Sequence, residues 1–261
     1  MKPIFKKTAF LAAQKAGAIL KKNALKPKHI QYKGRIDLVT DIDKQSEKII
    51  VQILTKAFPD HDILAEEGGG RITGSPYKWI IDPLDGTTNY AHAYPVYCVS
   101  IALEYKNKII LGLVYNPVME EYFYAESGHG AYLNNKKIQV SHIKHIERAL
   151  LVTGFPYVIR KNHSKVIKIF KNFLLSCQGI RRDGSAALNL CYVACGRLDG
   201  FWELNLNPWD TAAGFLIAQE AGARITDYKG NDYSCYNKDI LASNGSIHTP
   251  MLKTIKKGRL F

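Results

Sequence analysis

The chain has few cysteines, and none of them is arranged as in a disulfide framework or a zinc knuckle. The five are Cys98, Cys177, Cys191, Cys195 and Cys235. Because the number is odd and no Cys-x-x-Cys pair occurs, the sequence predicts a reducing, cytoplasmic location. Cys191 and Cys195 lie one helical turn apart without a neighbouring His or Cys ligand, which favours packing in the core over metal binding. The eight histidines form no His-Glu-x-x-His motif, and this excludes that type of zinc protease.

The sequence also lacks a hydrophobic run long enough to cross a membrane, although 46% of its residues are hydrophobic. Residues 9–20 resemble the apolar part of a signal peptide, but Gln14 and Lys15 interrupt them. Their apolar positions recur at helical spacing, so we expect an amphipathic first helix and no membrane partner. At 261 residues the chain is long enough for one large domain or two closely packed halves.

Acidic residues are missing from the first 36 positions, which contain ten Lys or Arg residues. Residues 136–182 add eleven basic residues and a single acid, Glu147, and the formal net charge is +13. Such a surface attracts anions, including nucleic acid. No recognised RNA- or DNA-binding motif accompanies it, and a solvated basic face is the simpler interpretation. Charge alone therefore does not decide the function.

The most informative segment that is present covers residues 80–90. The apolar run 79–81 ends in two carboxylates, Asp82 and Asp85, with Pro83 between them and Gly86 behind. We expect a buried strand that Pro83 stops, followed by a sharp glycine turn. An ordinary surface turn would explain these residue types. Two carboxylates this close repel each other unless a cation lies between them, which favours a site for a hard metal ion.

Helical and strand patterns alternate along the chain, which predicts a layered mixed α and β fold. The expected helices cover 44–57, 163–176, 185–195 and 209–221. A hairpin is expected at 97–104 and 108–115, and further strands at 63–65, 121–125, 130–133, 150–152, 201–203, 224–227 and 240–242. We divide the chain into an N-terminal α+β half, 1–148, that carries the metal motif, and a C-terminal α/β half, 149–261, that closes the site. The two halves are expected to form one unit.

Acidic residues recur in one local context, the end of an apolar strand or the start of a helix. They are Asp43, Glu66, the pair Asp82 and Asp85, and Asp210. Each has a simple structural explanation when taken alone, since Asp43 and Asp210 are suited to capping helices and Glu66 to solvent. Their recurrence beside turns favours a shared oxygen-ligand site.

Five segments carry a family resemblance. They are 37–43, 65–67, 79–89, 184–187 and 208–214. In this order they resemble the inositol monophosphatase family of magnesium-dependent, lithium-sensitive phosphatases over nearly the whole chain. Thr88-Asn89-Tyr90 is similar to the bacterial extragenic-suppressor branch of that family. The resemblance implies the fold shared with fructose-1,6-bisphosphatase, a sandwich of alternating α-β-α-β-α layers, and a homodimer.

The resemblance also implies a role for each acidic residue. Glu66, Asp82 and the Leu84 carbonyl would bind one Mg²⁺, and Asp82, Asp85 and Asp210 a second. A third ion would be bound more weakly, by Glu66 and water. Asp43 would orient Thr87, which positions the attacking water, and Glu66 is the alternative base.

Substrate recognition is implied at three places. Phosphate would meet the backbone N–H groups of Gly86 and Thr87. Sugar hydroxyls would meet Asp85, Asp210, Glu203 and the segment Gly184, Ser185 and Ala186. Lys33 would close over the metals, and Asp183, Asn205 and Asn207 fall where specificity is set.

Two function classes follow. The first is hydrolysis of a small polyol phosphate, most simply myo-inositol 1-phosphate, with fructose 1,6-bisphosphate or adenosine bisphosphate as related substrates. The second is a partner of RNA polymerase, of antitermination factors or of RNA, as the extragenic-suppressor branch implies, with the basic first 36 residues as the contact.

Overall fold

A computed structural model describes residues 2–26, 30–32, 38–156, 159 and 163–259. The helices are α1 Pro3–Asn23, α2 Asp41–Ala57, α3 Thr87–Ala91, α4 His163–Leu174, α5 Ala186–Ala194, α6 Pro208–Glu220 and α7 His248–Arg259. The first strands are β1 Ile30–Tyr32, β2 Leu38–Thr40, β3 Asp62–Ala65, β4 Tyr77–Asp85, β5 Cys98–Tyr105, β6 Lys108–Asn116, β7 Glu121–Glu126, β8 Ala131–Leu133 and β9 Lys136–Ile138. The later strands are β10 Leu150–Thr153, β11 Gly179–Arg181, β12 Gly200–Leu204, β13 Arg224–Thr226 and β14 Asp239–Ser243, and a 3₁₀ turn covers Ile146–Arg148.

Strands β3 to β9 form one sheet in chain order, antiparallel except for the parallel pair β3 and β4. Alternate residues of its strands face opposite sides, as the pleat requires. Trp79 and Ile81 pack into a core with helices α1 and α2, whereas Ile80 between them packs into a second core on the other face. Both faces of this sheet are therefore covered, which explains why residues 79–81 are apolar without alternation.

The other large sheet has the order β11-β10-β12-β14-β13 and mixes parallel and antiparallel pairs. Phe201 shares the second core with helices α5 and α6, while Trp202 packs into a third core with α4 and α7. The order of layers is α1 and α2, the first sheet, α5 and α6, the second sheet, and α4 and α7. The predicted α-β-α-β-α sandwich is confirmed.

One local prediction is wrong. Pro83 does not end strand β4, because the ladder passes from Asp82, opposite Ser100, directly to Asp85, opposite Cys98, and leaves Pro83 in a bulge. The glycine loop that follows strand β3 is held by hydrogen bonds from the Gly69 N–H to Glu47 and from the Arg71 N–H to the Ile63 carbonyl.

Short or polar elements were not predicted, among them β1, β9, β11 and α7, because their apolar patterns are brief or broken by Lys and Gly. The predicted loop at 33–35, including Lys33, lies outside the described residues. The division into halves at 148 and 149 stays a prediction, although the two large sheets fall on either side of it. No helix in the described ranges combines the length and the apolar composition that a membrane crossing needs.

Candidate active site

The turn at residues 82–87 lies at the end of strand β4, where the bulge turns it toward helix α3. Asp82 is 2% exposed, and its Oδ1 accepts a hydrogen bond from the Leu84 N–H at 2.9 Å. Gly86 precedes helix α3 with φ +99°, and a Cβ there would lie 2.8 Å from the Val96 carbonyl oxygen, so only glycine fits. Helix α3 begins at Thr87, directly behind Gly86.

Asp43 and Thr87 are joined as the sequence predicted. The Thr87 hydroxyl lies 3.0 Å from Asp43 Oδ1 and 3.0 Å from the Leu84 carbonyl oxygen. Asp43 is the third residue of helix α2, and its Oδ2 also accepts the Thr40 N–H, which completes a capping box. Asp43 therefore caps helix α2 and also contacts Thr87. Asp43 lies behind Thr87, one hydrogen bond from the turn.

Asp85 points toward the N-terminus of helix α5. Its Oδ2 accepts bonds from the Ser185 hydroxyl and the Ala187 N–H, both at 2.7 Å, and its Oδ1 accepts the Ala186 N–H at 3.3 Å. The helix N-terminus favours negative charge at this position. Burial nevertheless raises the pKa of Asp85 to about 6, against the effect of these hydrogen bonds. Asp85 thus ties the first sheet to the middle helical layer.

Glu66 follows strand β3, and Asp210 is the third residue of helix α6. Asp210 Oδ2 accepts the Asn207 N–H at 2.6 Å and completes the capping box of that helix, so its predicted capping role is real. Burial and the nearby carboxylates of Glu66, Asp85 and Asp210 raise the pKa of Asp82 well above its usual range. Burial likewise raises the pKa of Asp210, and Asp85 and Glu66 add to the effect. These four carboxylates therefore destabilise one another when all are charged.

A bound cation would offset this repulsion, and a cluster of carboxylate oxygens suits a hard divalent ion. In the ranges that the structure describes, no three His, Cys, Asp or Glu side chains are arranged as a ready metal-binding group. Asp85 accepts hydrogen bonds from the start of helix α5 and Asp210 from the start of its own helix, and a carboxylate that accepts such bonds keeps further lone pairs for a cation. The carboxylate oxygens of this cluster are chemically suited to binding a metal ion.

Glu203, on strand β12, belongs to the same site. Burial, with a contribution from the Asp85 charge, raises its pKa to about 8, although the Arg182 guanidinium acts in the opposite direction. A Cβ on Gly154 would lie 2.0 Å from Glu203 Oε1, so the glycine makes room for this carboxylate. Asn205, two residues further on, adopts φ +61°.

One cavity of ≈ 270 Å³ brings these residues together. Its lining includes Glu66, Asp82, Leu84, Asp85, Gly86, Thr87, Gly184, Ser185, Ala186, Glu203, Asn205, Asn207 and Asp210. Of the residues named for specificity, Asp183 is absent from the lining, and its carbonyl instead accepts a bond from Asn89.

Sequence reasoning missed Arg182, Phe155 and Trp209 as lining residues. Arg182 is one of eleven basic residues in 136–182, and nothing in the charge pattern singles it out. Trp209 directly precedes Asp210 at the start of helix α6, and this proximity was the one signal in the sequence for its place in the cavity lining.

The family model for the inositol monophosphatase family matches residues 4–259. The chain belongs to this family. It is 47% identical over 233 residues to a protein of Synechocystis named inositol-1-monophosphatase, which covers 88% of this chain and 81% of that protein. It is 45% identical over 240 residues to a Vibrio cholerae protein named Nus factor SuhB, with 90% of each chain covered.

Solved structures agree with this assignment. The crystal structure of the extragenic suppressor protein SuhB from Bartonella henselae superposes with a TM-score of 0.94 at 40% identity, covering 98% of this chain and 99% of that one. The protein is therefore a phosphatase of the inositol monophosphatase family, whose members are generally metal-dependent. The motifs at 79–89 and 208–214 pointed to this family correctly.

Proposed function

We propose that the protein hydrolyses a small polyol phosphate, most simply myo-inositol 1-phosphate, to inositol and phosphate with the help of Mg²⁺. One observation carries the proposal: a single cavity is lined by the carboxylates of Glu66, Asp82, Asp85 and Asp210, by Thr87 and by Glu203. The relative from Synechocystis supports the choice of substrate by its name. Fructose 1,6-bisphosphate and adenosine bisphosphate are the alternatives within the same chemistry.

Glu66, Asp82, Asp85, Asp210 and the Leu84 carbonyl would hold two to three Mg²⁺ ions. Bound there, Mg²⁺ would supply charge neutralisation of the phosphate and would lower the pKa of water. The charges of Glu66, Asp85 and Asp210 all act on Asp82, which supports a shared role for Asp82 in this group.

The chain's own residues position the reacting groups. The Thr87 hydroxyl has its single proton directed to Asp43 or to the Leu84 carbonyl, so its lone pairs are available to accept a hydrogen bond from the attacking water. The backbone N–H groups at Gly86 and Thr87 are suited to the phosphate oxygens. Glu203 and Ser185 would contact the hydroxyls of the leaving polyol.

The test is phosphate release from myo-inositol 1-phosphate with and without Mg²⁺, in the wild type and in Asp82→Asn. We expect Mg²⁺-dependent turnover in the wild type and a loss of at least about 10³-fold in the variant, since Asp82 is shared by the ligand set. Asp60→Asn, an exposed acid outside the cavity, is the matched control and should keep full activity. A wild type without Mg²⁺-dependent turnover on a panel of polyol phosphates would contradict the proposal.

The relatives named Nus factor SuhB favour a second, added function in transcription antitermination, with RNA polymerase, antitermination factors or RNA as the partner. The exposed basic side chains Lys2 and Lys7 of the first helix region give a surface for such a partner. A homodimer and a cytoplasmic location, which the resemblance and the cysteine usage predict, are part of this proposal.

Binding of purified antitermination factors and of RNA, measured at rising salt, tests the second function. We expect the triple charge reversal of Lys2, Lys6 and Lys7 to weaken binding while phosphatase activity stays unchanged. Binding that the reversal does not alter would rule out this surface.

A further inference from the structure

Helix α2 has a buried face that is polar at one end. Asp43, Ser46 and Glu47 follow the spacing i, i+3 and i+4, and they are 0%, 0% and 4% exposed. Ile50 and Leu54 continue the same face into the hydrophobic core. Buried polar side chains persist when they have hydrogen-bond partners, so their partners show what this face does.

Each of the three residues binds a different segment of the site. Asp43 accepts the Thr87 hydroxyl at 3.0 Å, and Ser46 donates to the Pro83 carbonyl at 2.8 Å. The Glu47 carboxylate accepts the N–H groups of Glu67 and Gly69, each at 2.7 Å. One rigid helix therefore sets the relative positions of helix α3, the β4 bulge and the loop that begins at Glu66.

The loop is shaped to receive the Glu47 carboxylate. Gly68 adopts φ +93°, which turns the chain between the two donating N–H groups and produces a concave anion-binding arrangement. A Cβ on Gly69 would lie 2.6 Å from Glu47 Oε1, so a side chain at this position would displace the carboxylate from its present place. Each Glu47 oxygen takes one N–H group, and bonds to a charged acceptor are the strong ones.

We propose that Glu47 is a positioning residue that sets the affinity of the site for its divalent cation. Glu67 directly follows Glu66, so fixing the Glu67 N–H fixes the backbone that carries the Glu66 carboxylate at the cavity. Glu47 itself is absent from the cavity lining and acts through this loop. The inference rests on the proposed function for the identity of the cation.

The test is Glu47→Gln, measured by calorimetric titration of the metal-free protein with Mg²⁺ and by amide hydrogen exchange. Glutamine keeps one acceptor oxygen but presents an NH₂ group to the second backbone N–H, so one of the two bonds is lost. We expect the Kd for Mg²⁺ to rise about 10- to 100-fold, the range typical when a residue supporting a metal ligand is changed. Exchange of the Glu67 and Gly69 amides should accelerate about tenfold or more. Glu147→Gln, an exposed glutamate distant in sequence from both loops, is the matched control and should alter neither quantity.

Gly69→Ala tests the same interaction from the loop side. Its methyl group would displace the Glu47 carboxylate, and we expect a rise of the Kd in the same direction with Glu47 intact. If amide exchange in Glu47→Gln is faster but the Kd for Mg²⁺ is unchanged, Glu47 has only a structural role and the inference is overturned. Unchanged amide exchange in Glu47→Gln would also overturn it. If the wild type binds Mg²⁺ but hydrolyses no polyol phosphate, the proposed substrate is wrong. The comparison of Kd values then still tests the role of Glu47. A wild type that binds no Mg²⁺ would overturn both.

Discussion

Two parts of the cavity, residues 82–87 and residues 203–207, are held in different ways. The first part is fixed through its side chains: Asp82 binds the Leu84 N–H, Thr87 binds Asp43, and Asp85 binds Ser185. The second part is fixed through its backbone. The Asn205 N–H donates to the Lys238 carbonyl at 2.6 Å, and Lys238 Nζ donates to the Leu206 carbonyl at 3.3 Å.

The difference leaves the Glu203 side chain of the second part available to a ligand, whereas Leu204 and Leu206 pack into the hydrophobic cores. Within the described residues, the Glu203 carboxylate has no hydrogen bond, although its pKa is raised to about 8 by burial. A group that is poorly solvated and not bonded within the chain gains most from a polar ligand. We infer that residues 82–87 determine the reaction, whereas residues 203–207 determine which alcohol leaves. The predictions below test this division.

The largest effect is expected at Thr87. Thr87→Val keeps the shape of the side chain but removes the hydroxyl that joins Asp43 to the turn and that we propose binds the attacking water. We expect kcat to fall by about 10²- to 10⁴-fold, the range for a positioned proton-transfer group, on every phosphomonoester that the enzyme accepts. The measurement is steady-state phosphate release at saturating Mg²⁺.

Two further variants sharpen this result. Thr87→Ser retains the hydroxyl and should recover most of the activity. Thr88→Val changes the neighbouring residue, which lies outside the cavity lining, and should leave kcat within about twofold. Equal losses in Thr87→Val and Thr88→Val would show that the helix start, and not the hydroxyl, is responsible.

The fold and the first part of the cavity were largely predictable from the sequence. Apolar runs such as 79–81 identify the strands. The bulge at Pro83 was predicted as a strand end, because a proline, which donates no hydrogen bond to the ladder, occurs both at strand ends and in bulges. Asp82, Asp85 and Thr87 are adjacent in sequence, so a local motif could identify them together.

The rest depends on contacts between distant segments. Arg182 and Glu203 line the same cavity as Asp85 because helix α5 packs both on the first sheet and on strand β12 of the second, which no local pattern encodes. From the sequence we assign Glu47 no role in the site, although its position on the same helical face as Ile50 and Leu54 indicates that it is buried. The signal in the sequence was a charged residue at a position of the helix where the periodic pattern requires an apolar one.

A smaller and substrate-dependent effect is expected at Glu203. Glu203→Gln replaces a carboxyl group that can bind a polyol hydroxyl through both oxygens, so kcat/KM for myo-inositol 1-phosphate should fall about 10- to 100-fold. Hydrolysis of p-nitrophenyl phosphate, whose leaving group has no neighbouring hydroxyl, should change by less than about threefold and serves as the internal control. A loss that is equal for both substrates would place Glu203 in the reaction itself and break the division between the two parts.

The smallest effect concerns the stability of the metal-free protein. Burial raises the pKa of Glu203 in the folded state to about 8, above its ordinary value of 4.5. The folded state therefore holds a proton that the unfolded state has already lost, and this contribution to stability disappears as the pH rises toward 8. Asp82 and Asp210 shift in the same direction because of burial and mutual repulsion. We expect Tm without metal to fall by about 2–6 °C between pH 6.5 and pH 8.5.

The pH range matters because buried His248 has the opposite slope. Burial lowers its pKa to about 4, so it destabilises the fold as the pH falls below 6.5, outside the chosen window.

Asp82→Asn removes one repelling charge from the first part, and it should raise Tm at pH 8.5 while abolishing activity. Glu203→Gln should reduce the pH slope, since it removes the titrating group of the second part, and Asp60→Asn should leave the slope unchanged. Added Mg²⁺ should flatten the wild-type slope, because the cation stabilises the charged carboxylates that burial otherwise disfavours. A slope unchanged by Mg²⁺ and by both cavity variants would mean that the repulsion inferred among these carboxylates is absent in solution.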